Sequence, residues 1–186
     1  MSASPLVTDV EPAIQAPVSN WLYTIQSLQG GFLDNSVILG FNSNTATIAI
    51  ESGYDAQKWQ LTVLPGNYYS IINESTGYAL TVENNDLENQ ADIVVQPYAG
   101  SDHQQWQIHP ATGGFRLISK SSEKSLRLED DFKFGDTGGE TRTDPKPTLI
   151  GNAIHHTYSD TDQSTWTFPA TTSVDLTAIS IGGANF

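Results

Sequence analysis

A short motif occurs twice in this chain, far apart. The stretch "DAQKWQL" covers residues 55–61 and "DHQQWQI" covers 102–108, so Gln-x-Trp-Gln followed by an aliphatic residue is written twice. A short motif repeated at long spacing indicates that the chain is built from copies of one structural unit. A third, altered copy, "QSTWTF", follows around Trp166.

The segments before each tryptophan repeat as well. Each of the segments "WLYTIQS" (21–27), "NYYSIIN" (67–73) and "GFRLISK" (114–120) is a short alternating aromatic and aliphatic run, which predicts a half-buried strand. Tyr23, Tyr69 and Phe115 within them are spaced 46 residues apart. A second short strand is predicted after each, in "GFLDNS" (31–36), "GYALTV" (77–82) and "KSLRLE" (124–129).

The tryptophan spacing locates an insertion. Trp106 follows Trp59 by 47 residues, but Trp166 follows Trp106 by 60. The excess lies in residues 133–148, which hold three glycines and two prolines and predict an inserted loop.

The repeated unit predicts an all-β fold. No long segment has helical periodicity, and turn residues recur at short intervals. Three copies of about four strands, closed so that no sheet edge remains, favour a three-fold barrel. We predict one domain over residues 20–169, with lobes at about 20–64, 65–110 and 111–169.

Two tails flank this predicted domain. Residues 1–19, rich in proline, are expected to form an irregular arm. Residues 170–186 are expected to form a C-terminal tail that alternates around Val174, Leu176 and Ile179. This tail is interpreted either as an added edge strand or as a docking segment.

Composition narrows the class of partner. The chain has 8 Lys and Arg against 21 Asp and Glu, a formal net charge of −13, which argues against nucleic acid and anionic membrane surfaces. It has no cysteine, which excludes disulfides, thiol nucleophiles and cysteine-based zinc sites. The N-terminus lacks the pattern of a signal peptide, and no apolar run reaches membrane-spanning length, so a cytoplasmic protein without membrane insertion is expected.

The units around "YYSIINESTGYALTV" and "ADIVVQPYAGSDHQQWQI" resemble the ricin B-type β-trefoil lectin family, whose hallmark is Gln-x-Trp near the end of each lobe. The resemblance covers about residues 20–169. The third lobe departs from it, because Ser164 stands where Gln is expected. The chain is most similar to small cytosolic fungal lectins, which implies carbohydrate binding without catalysis and a role in fungal defence.

The resemblance assigns the motif to the fold. In this family the tryptophans fill the barrel, so Trp59, Trp106 and Trp166 are expected in the core. The motif glutamines are expected to tie backbone turns together.

The resemblance also implies where a sugar would bind: an acceptor Asp in the second strand, a stacking aromatic, and a polar residue at or before the Gln of the motif. We align Glu51 in lobe one and Gln96 in lobe two with the stacking position. Asp34 is interpreted either as a sugar acceptor or as a turn residue. Tyr98 and Tyr158 are interpreted either as platforms on which a sugar stacks or as half-buried residues at the rim of the barrel. The candidate carbohydrate-binding residues are Asp34, Asn35 and Gln57 in lobe one, Tyr98, His103 and Gln104 in lobe two, and His156 and Tyr158 in lobe three.

Catalysis is not expected. The chain lacks Gly-x-Ser-x-Gly, P-loop and His-Glu-x-x-His patterns. Adjacent His155 and His156 point to opposite faces of a strand and have no third ligand at zinc spacing, so neither a metal nor a cofactor is expected.

The expected partners are glycans or glycoproteins, and a homodimer is a further expectation because weak sites gain strength through multivalency. One alternative is a protein-binding trefoil such as a protease inhibitor, with Arg142 and Lys146 in the 133–148 loop as anchors. Another is a trefoil that has lost sugar binding.

Overall fold

A computed structural model describes residues 16–35, 44–128, 149–157 and 164–171, without the side chains of 149–152 and 155. The predicted loop 133–148 lies outside the described residues, as do most of the N-terminal arm and of the C-terminal tail. No α-helix occurs in the described ranges.

The described residues form thirteen strands, four in each lobe with the first strand of lobe one divided in two. Lobe one holds β1 (Trp21–Tyr23), β2 (Gln26–Ser27), β3 (Phe32–Asn35), β4 (Ala46–Ala49) and β5 (Trp59–Leu64). Lobe two holds β6 (Tyr68–Asn73), β7 (Ala79–Val82), β8 (Ala91–Gln96) and β9 (Trp106–Ala111). Lobe three holds β10 (Gly114–Ser119), β11 (Ser125–Leu128), β12 (Leu149–His156) and β13 (Trp166–Thr167).

The first and last strands of the lobes close into a ring. Going round it, β1 pairs with β5, β5 with β6, β6 with β9, β9 with β10, and β10 with β13. The ring closes because β13 pairs with β2, which continues β1 after two residues. The predicted closed barrel of β-trefoil type is therefore confirmed, and closure satisfies strand edges that would otherwise be open.

The middle strands of each lobe form hairpins that meet one another. β3 pairs with β4, β7 with β8, and β11 with β12. Strand β12 also pairs with β4 and with β8, and an isolated bridge joins Thr45 to Val94. All three lobes therefore depend on one another for their hydrogen bonds.

The motif tryptophans occupy the core, as the resemblance implied. Trp59, Trp106 and Trp166 are each 0% exposed. Their indole nitrogens donate to backbone carbonyls of the second strand of the same lobe, at 3.0 Å to Leu33, 2.9 Å to Leu80 and 3.1 Å to Leu126. The same bond in each lobe stabilises a buried polar N–H and identifies the three leucines as equivalent residues.

Gly114 marks a close contact between two ring strands, β10 and β13. A Cβ atom on this residue would stand 2.4 Å from the backbone carbonyl oxygen of Trp166. The strand pairing of β10 with β13 therefore requires a residue without a side chain at this position.

Candidate functional site

The three equivalent leucines align the residues that follow them. Asp34, Thr81 and Arg127 come next in sequence and occupy one structural position in the three lobes. Their hairpin partners across the strand pair are Thr47, Val94 and Ile154. The three positions are therefore structurally equivalent, and lobe one alone has a carboxyl there.

In lobe one, Gln57 ties a loop to the end of the hairpin. Gln57 is 1% exposed and sits in a short 3₁₀ turn, Asp55–Gln57. Its Oε1 accepts from the Ser52 backbone N–H at 2.8 Å, and its Nε2 donates to the Ile50 carbonyl at 2.7 Å. Both bonds close the loop around Glu51, so the expected structural role of the motif glutamine is confirmed here.

Gln104 does the same in lobe two. Its Oε1 accepts from the Ala99 N–H at 2.7 Å and its Nε2 donates to the Pro97 carbonyl at 3.0 Å. The enclosed residue is Tyr98, which is therefore the counterpart of Glu51. The predicted equivalence of Glu51 with Gln96 is wrong, because the glutamine bonds, which sequence alignment does not see, fix the register of the loop.

Asp34 lies inside β3, so its interpretation as a turn residue is wrong. It is 8% exposed, and burial raises the pKa of its carboxyl above the ordinary value, while a hydrogen bond with the Gln57 side chain opposes that rise in pKa. Since Gln57 binds both this carboxyl and the loop, Asp34 is connected to the backbone around Glu51. A carboxylate that keeps free lone pairs can accept hydrogen bonds from neighbouring hydroxyls.

We expect Asp34→Asn to raise the Tm at pH 7 modestly. A raised folded-state pKa means that stability from the protonated carboxyl is complete below the unfolded pKa and is lost as pH rises through the folded pKa. The amide of Asn keeps a neutral acceptor for Gln57 without a desolvated charge. The Tm difference between variant and wild type should therefore shrink as the pH falls below the ordinary aspartate pKa.

Asp92→Asn is the matched control for this charge removal. Asp92 is exposed on β8, and its substitution changes the net charge of −13 by the same single unit. If Asp92→Asn raises the Tm at pH 7 as much as Asp34→Asn does, general charge repulsion rather than burial of Asp34 explains the effect.

Asn35 serves the contact between lobes one and two. It is 1% exposed, and its Nδ2 donates to Asn73 Oδ1 at 3.3 Å and to Thr76 Oγ1 at 3.2 Å. Its own Oδ1 is buried and has no hydrogen-bond partner among the described residues. Neighbouring strand residues point to opposite faces, so Asn35 faces away from Asp34.

In lobe two the acceptor position is closed. Thr81 is 0% exposed; its hydroxyl donates to the Ala79 carbonyl at 2.7 Å and accepts from Gln104 Nε2 at 3.3 Å. The accessible members of the predicted set are instead Tyr98, which is 43% exposed, and His103, which is half-buried. Tyr98 lies in the loop that Gln104 ties, and His103 is the residue directly before Gln104.

In lobe three, a cationic side chain, Arg127, occupies the position of the Asp34 carboxyl. Arg127 is 7% exposed and its Nε donates to the Leu128 carbonyl at 3.1 Å, while Ser164 is 1% exposed at the glutamine position. His156 is half-buried, with Nδ1 3.0 Å from the Thr157 carbonyl oxygen. Tyr158 lies outside the described residues, although it precedes Trp166 by eight residues, as Tyr98 precedes Trp106.

Lobe one thus has a buried carboxyl at this position, and lobe two has an exposed aromatic side chain in the equivalent loop. Sequence reasoning missed the bond from Gln57 to Asp34 and the identity of Thr47 as the residue opposite Asp34. Among the described residues, no group of three His, Asp or Glu side chains could hold a metal ion. No helix among the described residues is long and apolar enough to cross a membrane.

Known proteins support this description of the fold. Residues 55–143 match the family of ricin-type β-trefoil lectin domain-like sequences. This match confirms the resemblance to that family predicted from the sequence. No curated protein sequence matches the chain significantly.

Similar solved structures include a designed protein, a fungal lectin and part of an enzyme. ThreeFoil, a designed three-fold symmetric protein, has a TM-score of 0.68 at 26% identity over 81% of this chain and 99% of its own. The ricin B-like lectin of Macrolepiota procera, solved with lactose, has a TM-score of 0.62 at 18% identity, over 84% of this chain and 100% of its own. An exo-β-1,3-galactanase of Clostridium thermocellum has a TM-score of 0.65 at 19% identity, over 84% of this chain but 31% of its own.

Proposed function

We propose that this protein binds carbohydrate without catalysis, in shallow sites on individual lobes, and that Asp34 is the acceptor of the lobe-one site. The observation that carries the proposal is the carboxyl of Asp34 at the position where the other lobes have Thr81 and Arg127. A carboxylate accepts hydrogen bonds from two adjacent sugar hydroxyls, which neither a closed threonine hydroxyl nor a guanidinium does.

In this proposal, lobe two contributes a stacking contact with the sugar. The exposed ring of Tyr98 offers an apolar face on which the C–H face of a sugar can stack. Because Gln104 bonds the backbone on both sides of Tyr98, the backbone that carries the ring is held before the ligand arrives, and less backbone entropy is lost on binding. His103, the half-buried residue before Gln104, is the polar group of this proposed site.

The sugar class to test first comes from a similar structure. The Macrolepiota procera lectin was solved with lactose, and its chain is matched over its full length. Lactose is therefore the first soluble probe, after an unbiased glycan array.

The test compares wild type with Asp34→Asn and Tyr98→Ala on the array and by titration calorimetry. We expect each variant to lose about tenfold in affinity for the glycan of its own lobe, equivalent to ~1.4 kcal/mol. Since Asp34→Asn is expected to stabilise the fold, its loss of binding cannot be attributed to unfolding.

Tyr54→Ala is the control for loss of an exposed ring. Tyr54 is 59% exposed but lies at the start of the Asp55–Gln57 turn, outside the Tyr98 position. We expect it to bind like wild type. If no glycan binds at all, the proposed function is wrong; if glycans bind and neither Asp34→Asn nor Tyr98→Ala weakens them, the sites are wrong.

A cytoplasmic location, dimerisation and a defence role stay predictions within this proposal. Weak single sites gain avidity when two copies associate. Light scattering at working concentrations measures whether the chain is a dimer.

A further inference from the structure

One end of the barrel has two large apolar side chains in solvent. Trp21 on β1 and Val63 on β5 are each 47% exposed. Trp21 pairs with Leu61, and Val63 follows two residues later on the same face. The other three tryptophans are fully buried, so Trp21 is the one indole of this chain that solvent reaches.

The described chain ends beside this surface. Ala170 bridges to Tyr23, and the flanking bonds run from Thr24 N to the Pro169 carbonyl at 3.0 Å and from Thr171 N to the Leu22 carbonyl at 3.1 Å. Bonds that flank a pair in this way define a non-hydrogen-bonded antiparallel pair. If the same register continues for one more residue pair, Thr172 stands opposite Trp21.

The sequence after Thr171 alternates in step with Ala170, with apolar residues at the even positions. After Thr171 come Val174, Leu176 and Ala178 at even numbers, and Ser173, Asp175 and Thr177 at odd numbers. Residues two apart on a strand share a face, and Ala170 shares its face with Tyr23 and Trp21. In a strand that continued this register, the apolar residues would share the Trp21 face and the polar ones would take the opposite face.

We propose that residues 172–176 continue the strand along β1 and that Val174 packs against Trp21 and Val63. Val63 lies at the level of Ser19, since Val63 N donates to Ser19 Oγ at 3.1 Å, and Val174 reaches the same level from the other side of β1. Val174 and Val63 then flank the indole, and apolar area leaves water. The occupant of this surface is the chain's own C-terminal segment, which is independent of sugar binding.

The first test uses Trp21 as the reporter in the full-length chain. We expect Val174→Asp to shift the tryptophan emission to longer wavelength and to increase acrylamide quenching. Ser173→Asp adds the same charge one residue earlier, on the opposite face, and should leave both readings at the wild-type values. Trp21→Phe should remove the response to Val174→Asp, which assigns it to that indole.

Two outcomes overturn the proposal. One is an equal effect of Val174→Asp and Ser173→Asp on the quenching of Trp21. The other is a halving of the mass in light scattering when Val174→Asp is introduced, because the covering segment would then belong to a second copy.

A cysteine pair tests the register directly, since the chain has no cysteine of its own. Residues in a non-hydrogen-bonded pair have Cα atoms about 4.5 Å apart, within the reach of a disulfide. We expect Trp21→Cys with Thr172→Cys to form an intrachain disulfide under mild oxidation, and Trp21→Cys with Ser173→Cys to form it much less. Equal yields, or disulfide-linked dimers on a non-reducing gel, contradict the proposal.

Discussion

Trp106→Ala is expected to destabilise the protein by about 3–5 kcal/mol, as buried aromatic truncations do. Trp106 is 0% exposed, and its indole donates to the Leu80 carbonyl at 2.9 Å. The substitution leaves a cavity and also an unpaired buried carbonyl. Since typical domains have about 5–15 kcal/mol in total, this is a large fraction of the free energy of unfolding. Urea denaturation followed by far-UV circular dichroism measures it.

The control is Tyr54→Ala, which removes a ring of similar size from an exposed position. We expect it to change the free energy of unfolding by no more than about 0.5 kcal/mol. If Trp106→Ala prevents folding, Trp106→Phe, which leaves a smaller cavity, gives a measurable intermediate loss. A cost for Trp106→Ala as small as that for Tyr54→Ala contradicts the core role of the motif tryptophan.

Gln104→Ala is expected to cost about 1–3 kcal/mol, because it leaves buried polar groups without partners. Gln104 accepts from the Ala99 N–H and donates to the Pro97 carbonyl and to Thr81 Oγ1. The loop that carries Tyr98 also loses its two ties. Thermal and urea denaturation measure the stability, and amide hydrogen exchange at Ala99 should speed up more than exchange in the core strands.

Gln60→Ala is the control of the same residue type. Gln60 is exposed on β5, one residue after the first motif tryptophan. We expect its free energy of unfolding to stay within about 0.5 kcal/mol of wild type. If Gln104→Ala costs no more than Gln60→Ala, then the loop around Tyr98 does not depend on the motif glutamine.

The architecture could be predicted from the repeat because the pattern of neighbouring residues is enough to locate each strand. The alternating runs at 21–27, 67–73 and 114–120 fall on the first strands of the three lobes. The tryptophan spacing gives the lobe lengths. What the spacing did not reveal is the division of the first strand of lobe one into β1 and β2, since "WLYTIQS" alternates without interruption.

The candidate site was less predictable because it depends on contacts between distant residues. Asp34 and Gln57 are 23 residues apart, and their bond is made only when β3 and the 3₁₀ turn come together. Sequence spacing aligned Glu51 with Gln96, whereas the hydrogen bonds of Gln57 and Gln104 align Glu51 with Tyr98.

The sequence by itself determined the class of fold and the role of its motif. A large aromatic at the same place in three alternating repeats has no better position than a shared core, since burial of its area stabilises each lobe alike. Only the tertiary structure decided the surroundings of Asp34, Thr81 and Arg127. The burial of Asp34, the burial of Thr81 and the hydrogen bond of Thr171 to β1 all follow from contacts between residues far apart in sequence, which the local alternation of side chains does not encode.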